Sequence, residues 1–293
     1  MDFLVDLEFS RIVLAFIVGF FLSLSGSLTQ VATANSLASP STLGMSALAV
    51  IGVILSYFTN FYLDLSLSFE LRSFIIGLVL AGLILIIKPK AKNMSIWEQY
   101  SVSHVVLMGL AFNLFVGALF SIIQFVFMAF HLEFPASIWF GSLKQYSEEV
   151  VWIFIVLWLF IFISNYKISG FYGLLNYGAD FALGFDQKVY QYQKRGLILA
   201  LLMTISVVSF FGVFSFMGLV FPHLLRQFKF FKSDIISELR IGPWICGILF
   251  IILDQTCYLV PVWGAEVPVG MLSGLVGTLF LFMRLIKTSN QIV

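Results

Sequence analysis

Charge is scarce in this chain. Asp, Glu, Lys and Arg make up 11% of 293 residues, and their signs nearly cancel to a net +1. A soluble domain carries about 25% charged residues. With 60% of residues hydrophobic, the chain has more apolar surface than a water-soluble fold of this size can bury. No basic arm interleaved with aromatics is present, which excludes nucleic acid as a partner. Cysteine is nearly absent too. Cys246 and Cys257 lie 11 positions apart in one apolar run, about 16 Å along a helix, so they cannot bond to each other and read as small buried hydrophobes. There is no Gly-rich loop ending in Lys and Ser or Thr, so the chain binds no nucleotide by that route. His104, His131 and His223 fall in three different segments, and no carboxylate pair at i, i+3 or i+4 lies inside an apolar run. No metal, haem or other cofactor is therefore expected on this chain, and an intramembrane enzyme is disfavoured. The opening MDFLVDLEFSR places Asp2, Asp6 and Glu8 where a secretory signal carries lysine or arginine, which predicts no cleaved signal.

What is present is a series of long apolar runs, with mean hydropathy +1.03. A spanning helix needs about 20 predominantly apolar residues. Runs between charges and turn residues predict spans near 11–33, 44–60, 72–88, 102–129, 150–166, 196–214, 217–228, 241–260 and 269–286. The expected fold is an all-α polytopic transmembrane bundle of about nine spans, in one domain over 1–293. The run at 217–228 is too short to cross alone. With Gly212 before it and Pro222 inside it, that stretch reads as a broken or re-entrant helix, tolerated where protein surrounds it. In FPHLLR, at 221–226, Pro222 is expected to break a helix, with His223 and Arg226 bonding the freed carbonyls.

Lysine and arginine sort onto one side of these spans. Lys88, Lys90, Lys92, Lys167, Lys188, Lys194, Arg195, Arg226, Lys229, Lys232, Arg240, Arg284 and Lys287 account for 13 of the 16, leaving Arg11, Arg72 and Lys144 opposite. Positive residues are retained in the cytoplasm. The C-terminus is therefore expected inside, and the N-terminus, with residues 1–10 as a short tail, outside. Asp254 is the one acidic residue within a predicted span, and its expected role is hydrogen bonding between helices near the outer interface.

Residues 25–46, SGSLTQVATANSLASPSTLGMS, resemble the signature of the FecCD family. These are permeases of ATP-binding-cassette importers for iron–siderophore complexes, haem and cobalamin. Later blocks follow in the family's order: LMGLAFNLFVGAL at 107–119, IWFGSL at 138–143, GADFALGF at 178–185, GVFSFMGLVFPHLLR at 212–226 and AEVPVGMLSGLVG at 265–277. The resemblance implies a type II importer permease in a bacterial cytoplasmic membrane. Its expected partners are a second, identical or similar permease, two cytoplasmic ATP-binding subunits and an extracytoplasmic substrate-binding protein. It implies an ATPase-coupling element within the cytoplasmic loop 167–195, carried by Gly178, Ala179, Ala182, Leu183 and Gly184. It also implies docking of the binding protein at Arg11, Lys144 and Glu266. Small or polar residues Gly26, Ser27, Gly44, Ser46, Asn113 and Gly117 are candidates for the translocation path or the dimer interface, or for close helix packing.

Departures from the family pattern accompany the matches. Family members commonly begin with an additional helix, followed by two arginines flanking the next span. Here that helix is not seen, Arg11 takes the second arginine position and Glu8 stands at the first. Either a helix is encoded upstream or the subunit is a reduced variant. Tyr258 stands where some relatives carry an outer arginine. The expected cargo is an iron–siderophore complex, with haem or cobalamin as alternatives. An ion-coupled secondary transporter and a membrane redox protein are the readings from other classes.

Overall fold

The computed structural model describes residues 2–62, 67–86, 102–131, 136–143, 147–175, 184, 189–228, 231, 234–260 and 266–289. Among them are ten α-helices and no strand: α1 (Asp2–Ala32), α2 (Met45–Tyr62), α3 (Phe69–Ile86), α4 (Val102–Ala129), α5 (Glu148–Leu175), α6 (Val189–Phe211), α7 (Met217–Leu225), α8 (Ile235–Arg240), α9 (Gly242–Leu259) and α10 (Val269–Ser289). A single 3-10 turn, Ala136–Trp139, precedes α5. In hydrocarbon every backbone N–H and C=O needs an internal partner, and the helix meets that demand within one segment. Five helices are long and apolar enough to cross a bilayer: Phe9–Ala32, Leu107–Ala129, Glu148–Leu175, Gln191–Phe211 and Gly242–Leu259. Nine of the ten helices coincide with the nine expected runs. The tenth, α8, was not expected.

The centre of the bundle is α1. Its apolar stretch is 78% buried, against 11% for α4 and 17% for α5, so α1 is surrounded by protein while α4 and α5 turn apolar faces outward. It packs most extensively on α9, then α6 and α7. Phe16 and Phe20 of α1, Trp158 and Phe162 of α5 and Trp244 of α9 meet in one aromatic cluster, with Trp158 and Trp244 edge-on at 5.4 Å. Such pairs add about 0.5–1.5 kcal/mol each beyond the burial of their area.

The re-entrant segment forms as expected. After Phe211 the chain leaves helical geometry at Gly212, whose φ of +84° suits glycine. It runs irregularly to Phe216 and re-enters a helix at Met217. The backbone groups released there bond a second irregular segment. Val213 donates to the Ile138 carbonyl (2.9 Å), Gly141 to Val213 (3.1 Å), Ser142 to Phe211 (2.9 Å) and Gly270 to Gly141 (2.6 Å). Two non-helical stretches thus satisfy each other inside the protein, the condition for irregular backbone at membrane depth.

Three expectations are corrected. Residues 2–10 are helical and not a loose tail, because α1 is continuous from Asp2, and no proline or glycine interrupts it before Gly19. The loop expected over 167–195 is shorter: α5 continues to Leu175 and α6 begins at Val189. Leu175 is buried against the core, which holds the last turn of α5 in place beyond the charge at Lys167. Pro222 does not break a helix but lies inside α7. A nine-residue helix loses little to one missing N–H near its end. The carbonyl that proline deprives of its partner, Gly218, fills the space where a side chain on Gly26 would begin, so α1 and α7 touch backbone to backbone.

Candidate functional site: two ion-pair clusters and a polar-rimmed cavity

Two ion-paired clusters lie along α1. Near its start, Arg11 donates to both carboxylate oxygens of Asp254 on α9, at 2.8 and 3.1 Å, and to Glu266 before α10 at 3.3 Å. The Arg11 guanidinium also lies 4.4 Å over the Tyr258 ring. The two departures noted in sequence, a lone Arg11 and Tyr258 in place of an arginine, therefore meet in one contact. Asp254 bonds between helices, as expected of it. The Arg11 side chain is 11% exposed and that of Asp254 is fully buried, whereas Glu266 is 59% exposed.

Sixteen residues along α1, about 24 Å at 1.5 Å per residue, lies the second cluster. Glu238 of α8 is fully buried and accepts from Arg226 Nε (2.7 Å), Arg226 Nη2 (2.8 Å) and the Ser27 hydroxyl (2.8 Å). The remaining Arg226 amine donates to the Gln30 side-chain oxygen at 2.7 Å. One carboxylate thus joins α1, α7 and α8. Arg226 does not serve freed carbonyls, as the sequence suggested, because a buried acid offers a stronger acceptor. His223 does bond a carbonyl, through Nδ1 to Leu219 at 2.8 Å. Glu238 had been overlooked, since it lies between Lys232 and Arg240 in what read as a loop. The signal was available in IISELR, where an acid sits within an apolar stretch preceded by the helix-capping Asp234. Asp234 accepts from the Ile236 amide and from the Ser237 hydroxyl; the latter bond above all holds its carboxyl below the ordinary carboxylate range.

Between α2, α4 and the re-entrant segment lies a cavity of about 250 Å³. Its polar rim is Ser41, Thr42, Ser46, Asn113 and Ser215, and its apolar wall includes Trp139, Val213 and Phe216. The rim is set by a hydroxyl-rich turn: Ser39 N–H donates to Thr42 Oγ1 (2.8 Å), which donates back to the Ser39 carbonyl (2.9 Å). The Asn113 amide of α4 donates to the Ser41 carbonyl and ties α4 to that turn. Gly44, at φ +79°, ends the turn and starts α2. Beside it Gly109 of α4 presses so close that a side chain there would overlap the Thr42 carbonyl.

Among the path or interface candidates, Ser46 and Asn113 line this cavity and Gly44 shapes its rim. Gly117 is half-buried, 4.0 Å below the Trp139 ring from where its Cβ would be. Gly26 and Ser27 lie away from the cavity, the first against Gly218 and the second on Glu238. Lys144, Gly178, Ala179, Ala182 and Leu183 lie outside the described residues. Gly184 is exposed, and no described residue stands within 4 Å of where its Cβ would be.

Comparison with known proteins agrees with this geometry. The chain is 27% identical to the iron(3+)-hydroxamate import system permease of Bacillus subtilis, over 98% of this chain and 85% of the relative. It is equally similar, at 27%, to the hemin transport system permease of Yersinia pestis (98% and 84%) and to the vitamin B12 import system permease of Vibrio vulnificus (98% and 83%). A solved inward-facing metal-chelate type ABC transporter shares the fold at 20% identity, with a TM-score of 0.75 over 95% of this chain and 85% of that one. Residues 1–287 match the FecCD transport family, and the chain belongs to that family of multi-pass ABC importer permeases of the bacterial inner membrane.

Proposed function

We propose that this chain is the membrane-spanning subunit of a binding-protein-dependent importer that moves a ferric chelate across the cytoplasmic membrane, driven by ATP hydrolysis in partner subunits. The observation that carries the reading is the family match over residues 1–287. In this reading the chain pairs with an identical or similar permease and rests on two ATP-binding subunits. It holds no cofactor of its own. The C-terminus faces the cytoplasm and the N-terminus the outside, supported by the 13 of 16 positive residues on one side. Iron–siderophore complexes are the favoured cargo; haem and cobalamin are the alternatives, because similar permeases include a hemin and a vitamin B12 system.

Coupling runs through the 178–184 segment, where the ATPase docks. What supports a route from there into the bundle is α8. Asn165 of α5 donates to the Leu239 carbonyl (2.7 Å) and Arg240 to Ser169 of α5 (2.8 Å), while Glu238 holds α7 and α1. Displacement of the end of α5 reaches the re-entrant helix and the central helix through six residues, a rigid-body mode of switching. On the outer side, Glu266 is more open to a docking protein than Arg11, which orients it.

Co-reconstitution with the ATPase and the binding protein tests the reading. ATP-dependent uptake is expected, and Gly184→Arg should abolish it while the protein still inserts, since Gly184 is exposed and no described residue stands within 4 Å of where its Cβ would be. Undiminished uptake by that variant would refute the coupling assignment. Uptake by vesicles that lack any ATPase would refute the importer reading in favour of an ion-coupled carrier.

A further inference from the structure

The elements around the cavity share a chemistry that bears on cargo. None of its described lining residues is ionisable. The absence extends well beyond the lining: Met45–Tyr62 of α2, Leu107–Ala129 of α4, residues 212–221 of the re-entrant segment and 269–283 of α10 contain no Asp, Glu, Lys, Arg or His. Exposed polar groups within these stretches are neutral, as with Ser121 and Gln124 on α4 and Thr278 on α10. The charged pairs Arg11–Asp254 and Arg226–Glu238 are absent from the lining. The cavity offers hydroxyls, one carboxamide and apolar walls.

Such a surface discriminates by charge. Pores for anions place arginine or lysine along the path, because an ion stripped of water needs a counter-charge. An anionic cargo here would meet only weak dipoles. An electroneutral one with amide, carbonyl or hydroxyl groups would exchange hydrogen bonds to water for bonds to Ser41, Thr42, Ser46, Asn113 and Ser215. Coordination chemistry separates the iron chelates along this line. Three singly charged hydroxamates neutralise Fe(III), three doubly charged catecholates leave a trianion, and haem carries two carboxylates. At about 250 Å³ the cavity is smaller than the ~300–1,000 Å³ clefts that enclose a whole ligand, so it takes one limb of the cargo.

Resting on the importer reading above, we propose that the cargo is an electroneutral metal chelate bearing amide or hydroxyl groups, either a ferric trihydroxamate or a corrinoid, with Ser46 and Asn113 in contact with it. Two measurements on the reconstituted complex with ATPase and binding protein test this. The first compares ATP-driven uptake of a neutral ferric trihydroxamate, cyanocobalamin, a ferric tris-catecholate and haem. Uptake of either neutral compound, and of neither anion, is expected, and the two neutral arms identify the source.

The binding protein also selects cargo, so the second measurement isolates the permease. Ser46→Asp and Ser46→Lys should lower uptake by similar factors, since a neutral cargo is indifferent to the sign of an added charge. Ser215→Asp and Ser215→Lys repeat the comparison on the re-entrant wall of the cavity if the first pair fails to insert. Uptake of the catecholate or haem, with the Lys variant about tenfold or more above the Asp variant, would overturn the neutral-cargo proposal while leaving the importer reading intact. Uptake of none of the four compounds, with all partners and ATP present, would overturn both.

Discussion

Glu238 has no exposed surface, yet its carboxylate accepts three hydrogen bonds from two other elements. A buried pair of this kind costs most when half of it is removed, because the survivor keeps its charge without a counter-ion. Glu238→Ala should destabilise the fold by about 3–5 kcal/mol, measured by unfolding in mixed micelles. Adding Arg226→Met to Glu238→Leu should recover most of that loss, and a double variant no more stable than Glu238→Ala would show that the polar contacts carry stability themselves. Gly26 makes the opposite point, that of a residue needed for what it lacks. A single methyl there would overlap the Gly218 carbonyl, so Gly26→Ala should push α1 and α7 apart and cost about 1–3 kcal/mol by the same assay.

At the scale of elements, the segment from Phe211 to Met217 works because a second irregular stretch, 138–142, and the start of α10 supply its backbone partners. Gly270 donates to the Gly141 carbonyl and lies so near that a Cβ on it would overlap the Gly141 backbone. Gly270→Ala should therefore push α10 away from the 138–142 stretch and reduce ATP-dependent uptake about tenfold or more, with membrane insertion unchanged. Normal uptake would mean that the crossing tolerates displacement. Elements of this kind were only partly legible. The break near Gly212 could be read from glycine, proline and a short apolar run. Its partner segment could not, because backbone hydrogen bonds between remote stretches leave no mark in the composition of either. The six-residue α8 was hidden for a related reason: too short for periodicity, it is held by Asn165, Arg226 and Ser27, all distant in sequence.

For the whole molecule, orientation is the property most open to direct test. The native cysteines are buried, so neither should react with an impermeant maleimide. Gly184→Cys, at an exposed site, should be labelled only from the cytoplasmic face, and Glu266→Cys only from outside. The reverse pattern would invert the topology argued from lysine and arginine.

Membrane residence, the number of helices among the described residues to within one and the sorting of charge followed from the sequence alone. Each rests on a local quantity, the apolar length of a run or the sign of a loop, that lipid reads directly. Family membership was legible as well, through six blocks in order. Which residues cooperate was decided only by tertiary structure. Arg11 read as a docking cation, and its partners Asp254, Glu266 and Tyr258, more than 240 positions away, left no mark beside it in the sequence. Ser27 read as a residue of the path, the dimer interface or close helix packing, and its bond to a buried acid could not be read from the sequence. Ion pairs inside a low-dielectric bundle are strong because water is excluded, and that exclusion arises only once the helices have packed.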